Sequence, residues 1–270
     1  MSLVKICGAV AAISILAAPG ARAQPAADMQ LSLGYDGRLL FKVLDIEIEQ
    51  RANATGFSST ARLVSTGILR LVKHIDERAS SQGRIADGAV RPWQFDYQRF
   101  ASKSHRHTHV TWSAQEVTMT TSVPFPSLGD PPATLQQKLA AADPLTQLMR
   151  VTLDAGRPDA CRGSRSFFDG RQLYALDFSN RRPAGPSATQ TKLGLINAYR
   201  CDVRYREVAG YKKSPSEQED GGLKKPVAVD FAQIGPDGPW VVSRMEAPTP
   251  LGYAVIELKR LSLSGKAPGA

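Results

Sequence analysis

The stretch YRCDVRYR, residues 199–206, alternates apolar and charged side chains with a period of two. Tyr199, Cys201 and Val203 fall on one side of this stretch, and charged residues fall on the other. Because successive side chains of a β-strand point to opposite faces, the pattern predicts a half-buried strand whose apolar side, with Cys201, faces the core. Similar alternation recurs at residues 44–49, 93–98 and 254–259.

Asp-Gly dipeptides separate these alternating segments. They begin at Asp36, Asp87, Asp169 and Asp237, and Asp-Gly supplies the positive φ angles of tight hairpin turns. The combination predicts a mostly β fold built on an antiparallel sheet. A sheet of about a dozen strands has to curl in order to cover its apolar face. We therefore expect a single curled antiparallel sheet, an open barrel or a β-spiral-like structure, with one or two short helices.

Helix signals are confined to two segments. Asp143 is a suitable N-cap, Pro144 fits the first helical position, and the helix is expected to close at Gly156. A shorter helix is predicted to begin at Ser214. The segment 123–132 contains four prolines and predicts a connector. It either links parts of one continuous sheet, which we favour, or separates two smaller sheets.

The beginning of the chain has the features of a secretory signal. A basic residue, a short apolar run and a small-x-small site precede residue 24, so we expect residues 1–23 to be cleaved after Ala23 and the mature protein to reach the periplasm. The expected organisation is then a disordered segment 24–30, one β-rich domain 31–263 and a disordered tail 264–270. After the signal, no apolar stretch has the ~18 residues of a membrane helix.

The charge of the chain bears on its partners. The formal net charge is +9, of which +2 lies in the expected signal. This excess suits an anionic envelope polymer or a lipid headgroup. The basic residues are scattered and are not interleaved with aromatic residues, so nucleic acid is not an expected partner.

The cysteines predict a disulfide. Cleavage of the signal removes Cys7 and leaves Cys161 and Cys201 in an oxidising compartment. A bond between them closes a loop of about 40 residues. In the loop-entropy description, this bond stabilises the folded state by roughly 4 kcal/mol. The spacing is not that of a Cys-x-x-Cys redox motif, so we interpret the bond as structural.

The standard catalytic motifs are absent from the sequence, and we expect no cofactor and no catalytic residues. His105, His107 and His109 occupy every second position, so a strand would project all three from one face. Their spacing of about 7 Å along a strand and the lack of a carboxylate in the segment favour a solvated strand face. A metal site and a pH-sensitive contact with an anion are the alternatives.

Several motifs resemble those of the exported bacterial proteins grouped as domain of unknown function family 3108. In chain order they are Asp143-Pro144-Leu145-Thr146, Phe168-Asp169-Gly170-Arg171, Cys201-Asp202-Val203-Arg204-Tyr205, Val208-Ala209-Gly210-Tyr211 and Thr249-Pro250-Leu251-Gly252. The resemblance spans roughly residues 31–261. It implies a periplasmic or envelope-associated β-rich protein, and it implies no established activity.

Arg171 is the candidate ligand contact within these motifs. Its guanidinium either pairs with Asp169 or Asp177 or is presented to an anionic ligand.

These observations favour a non-enzymatic envelope protein. The concave apolar side of a curled sheet would hold a lipid, an acyl chain or an extended polymer, with basic residues at the rim. One alternative is a structural or adaptor protein that binds an envelope protein partner through an exposed sheet edge. Another is an envelope hydrolase whose scattered catalytic residues meet only in the folded chain.

Overall fold

The computed structural model describes residues 29–72, 74–101, 104–211, 225–249 and 252–268. Seven strands and a short helix come first: β1 (Met29–Arg38), β2 (Lys42–Ala52), β3 (Gly56–Ser65), α1 (Gly67–Val72), β4 (Asp76–Ala86), β5 (Ala89–Ala101), β6 (Ser104–Trp112) and β7 (Val117–Thr121). Consecutive strands in this series pair antiparallel. The alternating segments 44–49 and 93–98 lie in β2 and β5, which confirms them as strands.

The remaining elements are α2 (Leu135–Ala140), α3 (Pro144–Asp154), β8 (Gly163–Phe168), β9 (Leu173–Pro183), α4 (Ala188–Lys192), β10 (Leu195–Ala209), β11 (Val227–Ile234), β12 (Trp240–Thr249) and β13 (Gly252–Ser264). The stretch 199–206 lies in β10, and 254–259 lies in β13, so both are confirmed as strands. The connector 123–132 contains no helix or strand, as its prolines predict.

In the described part of the chain, thirteen strands form one sheet with the order β7-β6-β5-β4-β3-β2-β1-β13-β12-β11-β10-β9-β8. From β1 at the centre of the sheet, the described chain proceeds hairpin by hairpin to the edge at β7, crosses to the edge at β8 and returns to the centre. Pairing of β1 with β13 joins the two halves. The predicted single antiparallel sheet is confirmed, and it is not closed.

Three of the four Asp-Gly dipeptides lie in turns between consecutive strands. Asp87 and Gly88 join β4 to β5 with φ angles of 51° and 71°. The dipeptides at Asp169 and Asp237 lie in the β8–β9 and β11–β12 connections. The turn predicted at Asp36 is wrong. This residue lies within β1, opposite Asp45 of β2 and Glu257 of β13, so the backbone stays extended there and the chain reverses three residues later, at 39–41.

Helix α3 lies inside the curl of the sheet. The Asp143 carboxylate caps it by accepting hydrogen bonds from the backbone N–H groups of Leu145 and Thr146, both at 2.9 Å. Its flanks contact β3, β4 and β5 on one side and β8 and β12 on the other. Met149 is fully buried, and Arg150 donates two hydrogen bonds to the Val90 carbonyl oxygen. The predicted helix is confirmed, and it fills much of the interior.

The two ends of the sheet meet through side chains and the β8–β9 turn. The rings of Trp112 and Phe168 pack edge to face, with centroids 6.5 Å apart. Gly170 in the turn has a φ of 99°, and a Cβ added to it would lie 2.5 Å from Thr108 Cγ2 on β6. Glycine therefore permits both the turn conformation and the close approach of the turn to β6.

The boundaries of the domain differ slightly from those expected. β1 begins at Met29, two residues before the expected start, and Ser264 still belongs to β13. Ala267 packs against the buried cluster that contains Met29, so the packed domain extends beyond residue 263. The expected signal segment 1–23 and the helix predicted at Ser214 lie outside the described residues.

Candidate functional site

An apolar cavity of about 260 Å³ lies between α3 and the concave face of strands β8 to β12. Its lining comprises Pro144, Gln147, Leu148, Val151, Arg165, Phe167, Leu176, Phe178, Val203, Tyr205, Val227, Val229, Phe231, Val242 and Met245. On β8 to β11 these residues come from alternating positions, since every second side chain of a strand faces the interior of the curl. On β12, Val242 and Met245 are three positions apart, beside an irregularity in the β11–β12 pairing. A narrow apolar cavity of this kind suits a hydrocarbon chain.

Arg165 is the charged residue in this lining. Its guanidinium carbon lies 4.8 Å from the ring centroid of Phe178, and burial lowers the pKa of the guanidinium. No ion pair joins Arg165 to a carboxylate in the described ranges. A half-buried cation without a carboxylate partner is suited to an anionic group on a bound molecule.

Gln147 adds a second polar atom to the cavity. Its Nε2 donates a hydrogen bond of 2.7 Å to the Ser166 carbonyl oxygen, which fixes the orientation of the amide. Its Oε1 is buried and accepts no hydrogen bond from any described residue. This oxygen is enclosed by the protein, so Gln147 adds little polar surface and Arg165 remains the charged residue of an almost wholly apolar lining.

The predicted disulfide between Cys161 and Cys201 is confirmed. The two Cα atoms are 5.5 Å apart, and both residues are buried in the cluster that borders the apolar cavity. The bond attaches the segment that follows α3 to β10. It therefore holds one wall of the cavity against the other.

Arg171 lies in the β8–β9 turn. Its backbone N–H donates to Asp169 Oδ1 at 2.9 Å, whereas its guanidinium carbon lies 5.6 Å from the ring centroid of Phe125. Within the described ranges its guanidinium forms no ion pair with Asp169 or Asp177, and Asp177 instead pairs with Arg206 at 3.0 Å. Burial raises the pKa of the Asp169 carboxyl despite hydrogen bonds from the backbone of Arg171 and Gln172.

The three histidines on β6 have different surroundings. His105 is exposed and stacks on Phe100, with ring centroids 4.4 Å apart. His107 Nε2 and His109 Nδ1 form hydrogen bonds of 2.8 and 2.9 Å with the same oxygen, Asp96 Oδ1. The carboxylate comes from the adjacent strand β5, where Asp96 is paired with His109. In the described ranges, no three His, Cys, Asp or Glu side chains are placed to hold a metal ion.

Arg165 was not among the residues predicted from the sequence, and the concave apolar face was predicted without its lining residues. Alternation in β8 places Arg165 and Phe167 on the same face of the strand. A charged residue at a position where this pattern predicts an apolar one was the signal in the sequence that could have indicated Arg165. The alternating residues Val227, Val229 and Phe231 of β11 were a second signal. The position of α3 over this face depends on contacts that are distant in sequence, and no local pattern reveals them.

Comparisons with known proteins do not assign the chain to a family. No family model matches the sequence, and no curated protein matches it, so the resemblance to family 3108 stays a prediction. The chain is similar to the crystal structure of a beta-barrel-like protein of domain of unknown function DUF1849 from Brucella abortus. The TM-score is 0.47 with 10% sequence identity, and the match covers 89% of this chain and 99% of that chain.

The helices in the described ranges are short. The longest, α3, has 11 residues, and none there has the length and apolar character of a membrane-spanning helix.

Proposed function

We propose that this protein is a non-enzymatic binding protein of the cell envelope that holds the acyl chain of an anionic, lipid-like molecule. The observation that carries the proposal is the cavity of about 260 Å³, whose apolar walls contain Arg165. Apart from Arg165, Gln147 and Tyr205, every residue of the lining is apolar, which favours binding of an apolar chain over catalysis.

Both parts of an amphiphile find a partner in this cavity. Each methylene group transferred from water to the apolar walls contributes about 0.8 kcal/mol, which corresponds to a roughly 4-fold change in Kd. Arg165 supplies a charge-assisted hydrogen bond to a carboxylate or phosphate headgroup. The stacking of its guanidinium on Phe178 holds the cation at the wall of the cavity.

The proposal includes export to the periplasm with cleavage of the signal after Ala23. Two arguments support it: the arrangement of basic, apolar and small residues in 1–23, and the disulfide between Cys161 and Cys201. Disulfides persist in oxidising compartments and are rare in the cytosol of mesophiles.

Native mass spectrometry tests the proposal on mature protein purified from the periplasm without detergent or reductant. We expect a reproducible additional mass that organic solvent extracts. The companion variant Leu148→Trp fills the cavity from α3 and should abolish this mass. Leu135→Trp on α2, where the native side chain is 49% exposed, is the matched control. If the additional mass survives Leu148→Trp, the ligand does not occupy this cavity.

Calorimetric titration with fatty acids separates the chain from the headgroup. We expect the affinity to rise about 4-fold with each added methylene until the cavity is full. Arg165→Gln should weaken binding of a fatty acid by about 10-fold or more and leave binding of the alcohol of equal chain length unchanged. Equal weakening of both ligands would argue that Arg165 contributes packing and not charge recognition.

An exposed apolar patch favours a second candidate function, that of an adaptor for an envelope protein partner. Leu40 and Phe41 in the β1–β2 turn are 78% and 50% exposed, and Ile68 and Leu71 on α1 are 59% and 85% exposed. The turn and α1 are neighbours, because Thr66 donates a backbone hydrogen bond to Val43. Such patches mark interaction surfaces. Photo-crosslinking from position 71, with position 84 as the exposed control, tests for a specific partner in the envelope.

A further inference from the structure

A second cavity, of about 240 Å³, lies where the two ends of the sheet meet. Its walls come from β5, β6, the connector 123–132 and the β8–β9 turn, and they include Arg99, Arg106 and Arg171. It is separate from the apolar cavity, since the two share no lining residue.

Two of these arginines lie against one aromatic ring. The guanidinium carbons of Arg106 and Arg171 lie 4.5 and 5.6 Å from the ring centroid of Phe125. Neither forms an ion pair with a carboxylate in the described ranges, whereas Arg99 pairs with Glu77 at 3.7 Å. The two guanidinium groups therefore share one ring through cation–π contacts. The repulsion between them is offset only in part by the Asp169 carboxylate, which interacts with Arg171.

Buried donors in this cavity also lack partners. The Nε atoms of Arg106 and Arg171 and the Oγ1 atom of Thr108 are buried, and no described residue forms a hydrogen bond with any of them. Thr108 is 1% exposed. A buried polar atom without a partner is costly, more so when it carries charge. A guanidinium presents its N–H groups as a fork that matches the oxygens of a phosphate.

The carboxylate in the lining is held by the backbone of the β8–β9 turn. Asp169 Oδ1 accepts hydrogen bonds from the backbone N–H groups of Arg171 and Gln172 at 2.9 and 2.7 Å. Because Arg99 is paired with Glu77, two arginines of the lining face one carboxylate, Asp169, which leaves an excess of one positive charge. The unpartnered donors and the excess charge point to the same class of ligand.

We propose that this second cavity binds a phosphate group through the guanidinium groups of Arg106 and Arg171. The group belongs either to a soluble phosphate or to the headgroup of a phospholipid. The two arginines come from opposite ends of the sheet, Arg106 from β6 and Arg171 from the β8–β9 turn. A bound phosphate would therefore bridge the two ends.

Calorimetric titration with inorganic phosphate at constant ionic strength tests the site. We expect saturable binding to the wild type, weakened at least about 10-fold by Arg106→Gln combined with Arg171→Gln. Arg84→Gln is the matched control, because Arg84 also lies over an aromatic ring, Trp93 at 5.7 Å, but is exposed on β4. Flotation with phosphatidylglycerol vesicles, against phosphatidylcholine vesicles, tests the lipid source with the same variants.

Each outcome decides the proposal. Phosphate binding that depends on the two arginines supports a soluble ligand, and vesicle binding alone with that dependence supports a headgroup. Binding of neither, or binding that the double variant leaves unchanged, overturns the site.

Thermal unfolding gives a second readout. Phosphate should raise the Tm of the wild type, because a ligand that binds only the folded state stabilises it. The double variant Arg106→Gln with Arg171→Gln should show no such rise, whatever its own Tm, and an equal rise in that variant would overturn the site.

Discussion

The Tyr199 hydroxyl donates a hydrogen bond of 2.7 Å to the carbonyl oxygen of Ala155. Ala155 is the C-cap of α3, and Tyr199 lies on β10, two residues before Cys201. The end of the internal helix is therefore attached to the sheet at two adjacent points, by this hydrogen bond and by the disulfide.

Replacing Tyr199 with Phe should lower the free energy of unfolding by about 1 kcal/mol. The ring and its packing against Phe231 remain, but the Ala155 carbonyl loses its donor. Urea denaturation measures the change. Tyr253→Phe, at a side chain that is 62% exposed, should have no measurable effect.

Removing both cysteines should lower the free energy of unfolding by about 4 kcal/mol, since the 40-residue loop is then free in the unfolded chain. The double substitution Cys161→Ala and Cys201→Ala avoids a free thiol. We also expect weaker fatty-acid binding, because the segment after α3 is no longer held to β10. An unchanged denaturation midpoint would contradict a structural role for the bond.

Asp143 should make the folded state more stable as pH falls, which is opposite to the effect of a carboxylate in an ion pair. Burial raises its pKa above the ordinary 3.8, despite hydrogen bonds from Thr146, Ser81 and Leu145. The folded state therefore keeps a proton at pH values where the unfolded chain has lost it, so this group's contribution falls as pH rises through that window. Relative to Asp143→Asn, the wild type should gain stability as pH is lowered toward 4.

A companion variant separates charge from capping at the same position. Asp143→Ala should cost about 1–2 kcal/mol more than Asp143→Asn, because alanine cannot accept hydrogen bonds from the first turn of α3. If the wild type instead gained stability over Asp143→Asn as pH rose, the direction of the pKa shift would be wrong.

Local patterns in the sequence were sufficient for β2, β5, β10, β13 and α3. One or two short helices were predicted, whereas the described part of the chain has four. Alternation at 199–206 and the Asp143-Pro144 start are short-range signals with direct physical causes. The error at Asp36 shows their limit. Asp-Gly is compatible with a turn, but the pairing of β1 on both sides, with Asp45 and Glu257, keeps the chain extended.

The two candidate sites depended on contacts that cross the sheet. Arg106 and Arg171 are 65 residues apart in sequence and meet at Phe125 only because the sheet curls. The carboxylate beside the histidines was missed for a similar reason, since Asp96 approaches from the neighbouring strand. Cross-strand register decides such contacts, and one isolated segment does not contain it.

Asp96 should contribute stability that is lost in acid. Burial alone would raise the pKa of its carboxyl, but hydrogen bonds from Gln94, His109 and His107 outweigh burial and lower the pKa below 3.8. The contribution is complete above the unfolded value and declines as pH falls through the folded one. Asp96→Asn should therefore be less stable than the wild type at pH 6, and the difference should shrink below pH of about 4. A difference that is independent of pH would contradict this.

Gly170→Ala should destabilise the fold more than an ordinary substitution at a positive φ. The backbone at Gly170 has a φ of 99°, and a Cβ there would lie 2.5 Å from Thr108 Cγ2 and 3.2 Å from Val110 Cγ2. Strain and steric overlap together should cost about 2–3 kcal/mol. Gly163→Ala is the matched control, because its φ is 83° but nothing lies within 4 Å of the added carbon. It should cost about 1 kcal/mol.

The Gly170 substitution should also weaken phosphate binding, since it pushes the turn that carries Arg171 away from β6. Equal losses of stability in the two variants, measured by urea denaturation, would mean that the turn moves freely from β6 and that the sheet ends are not held together at this contact.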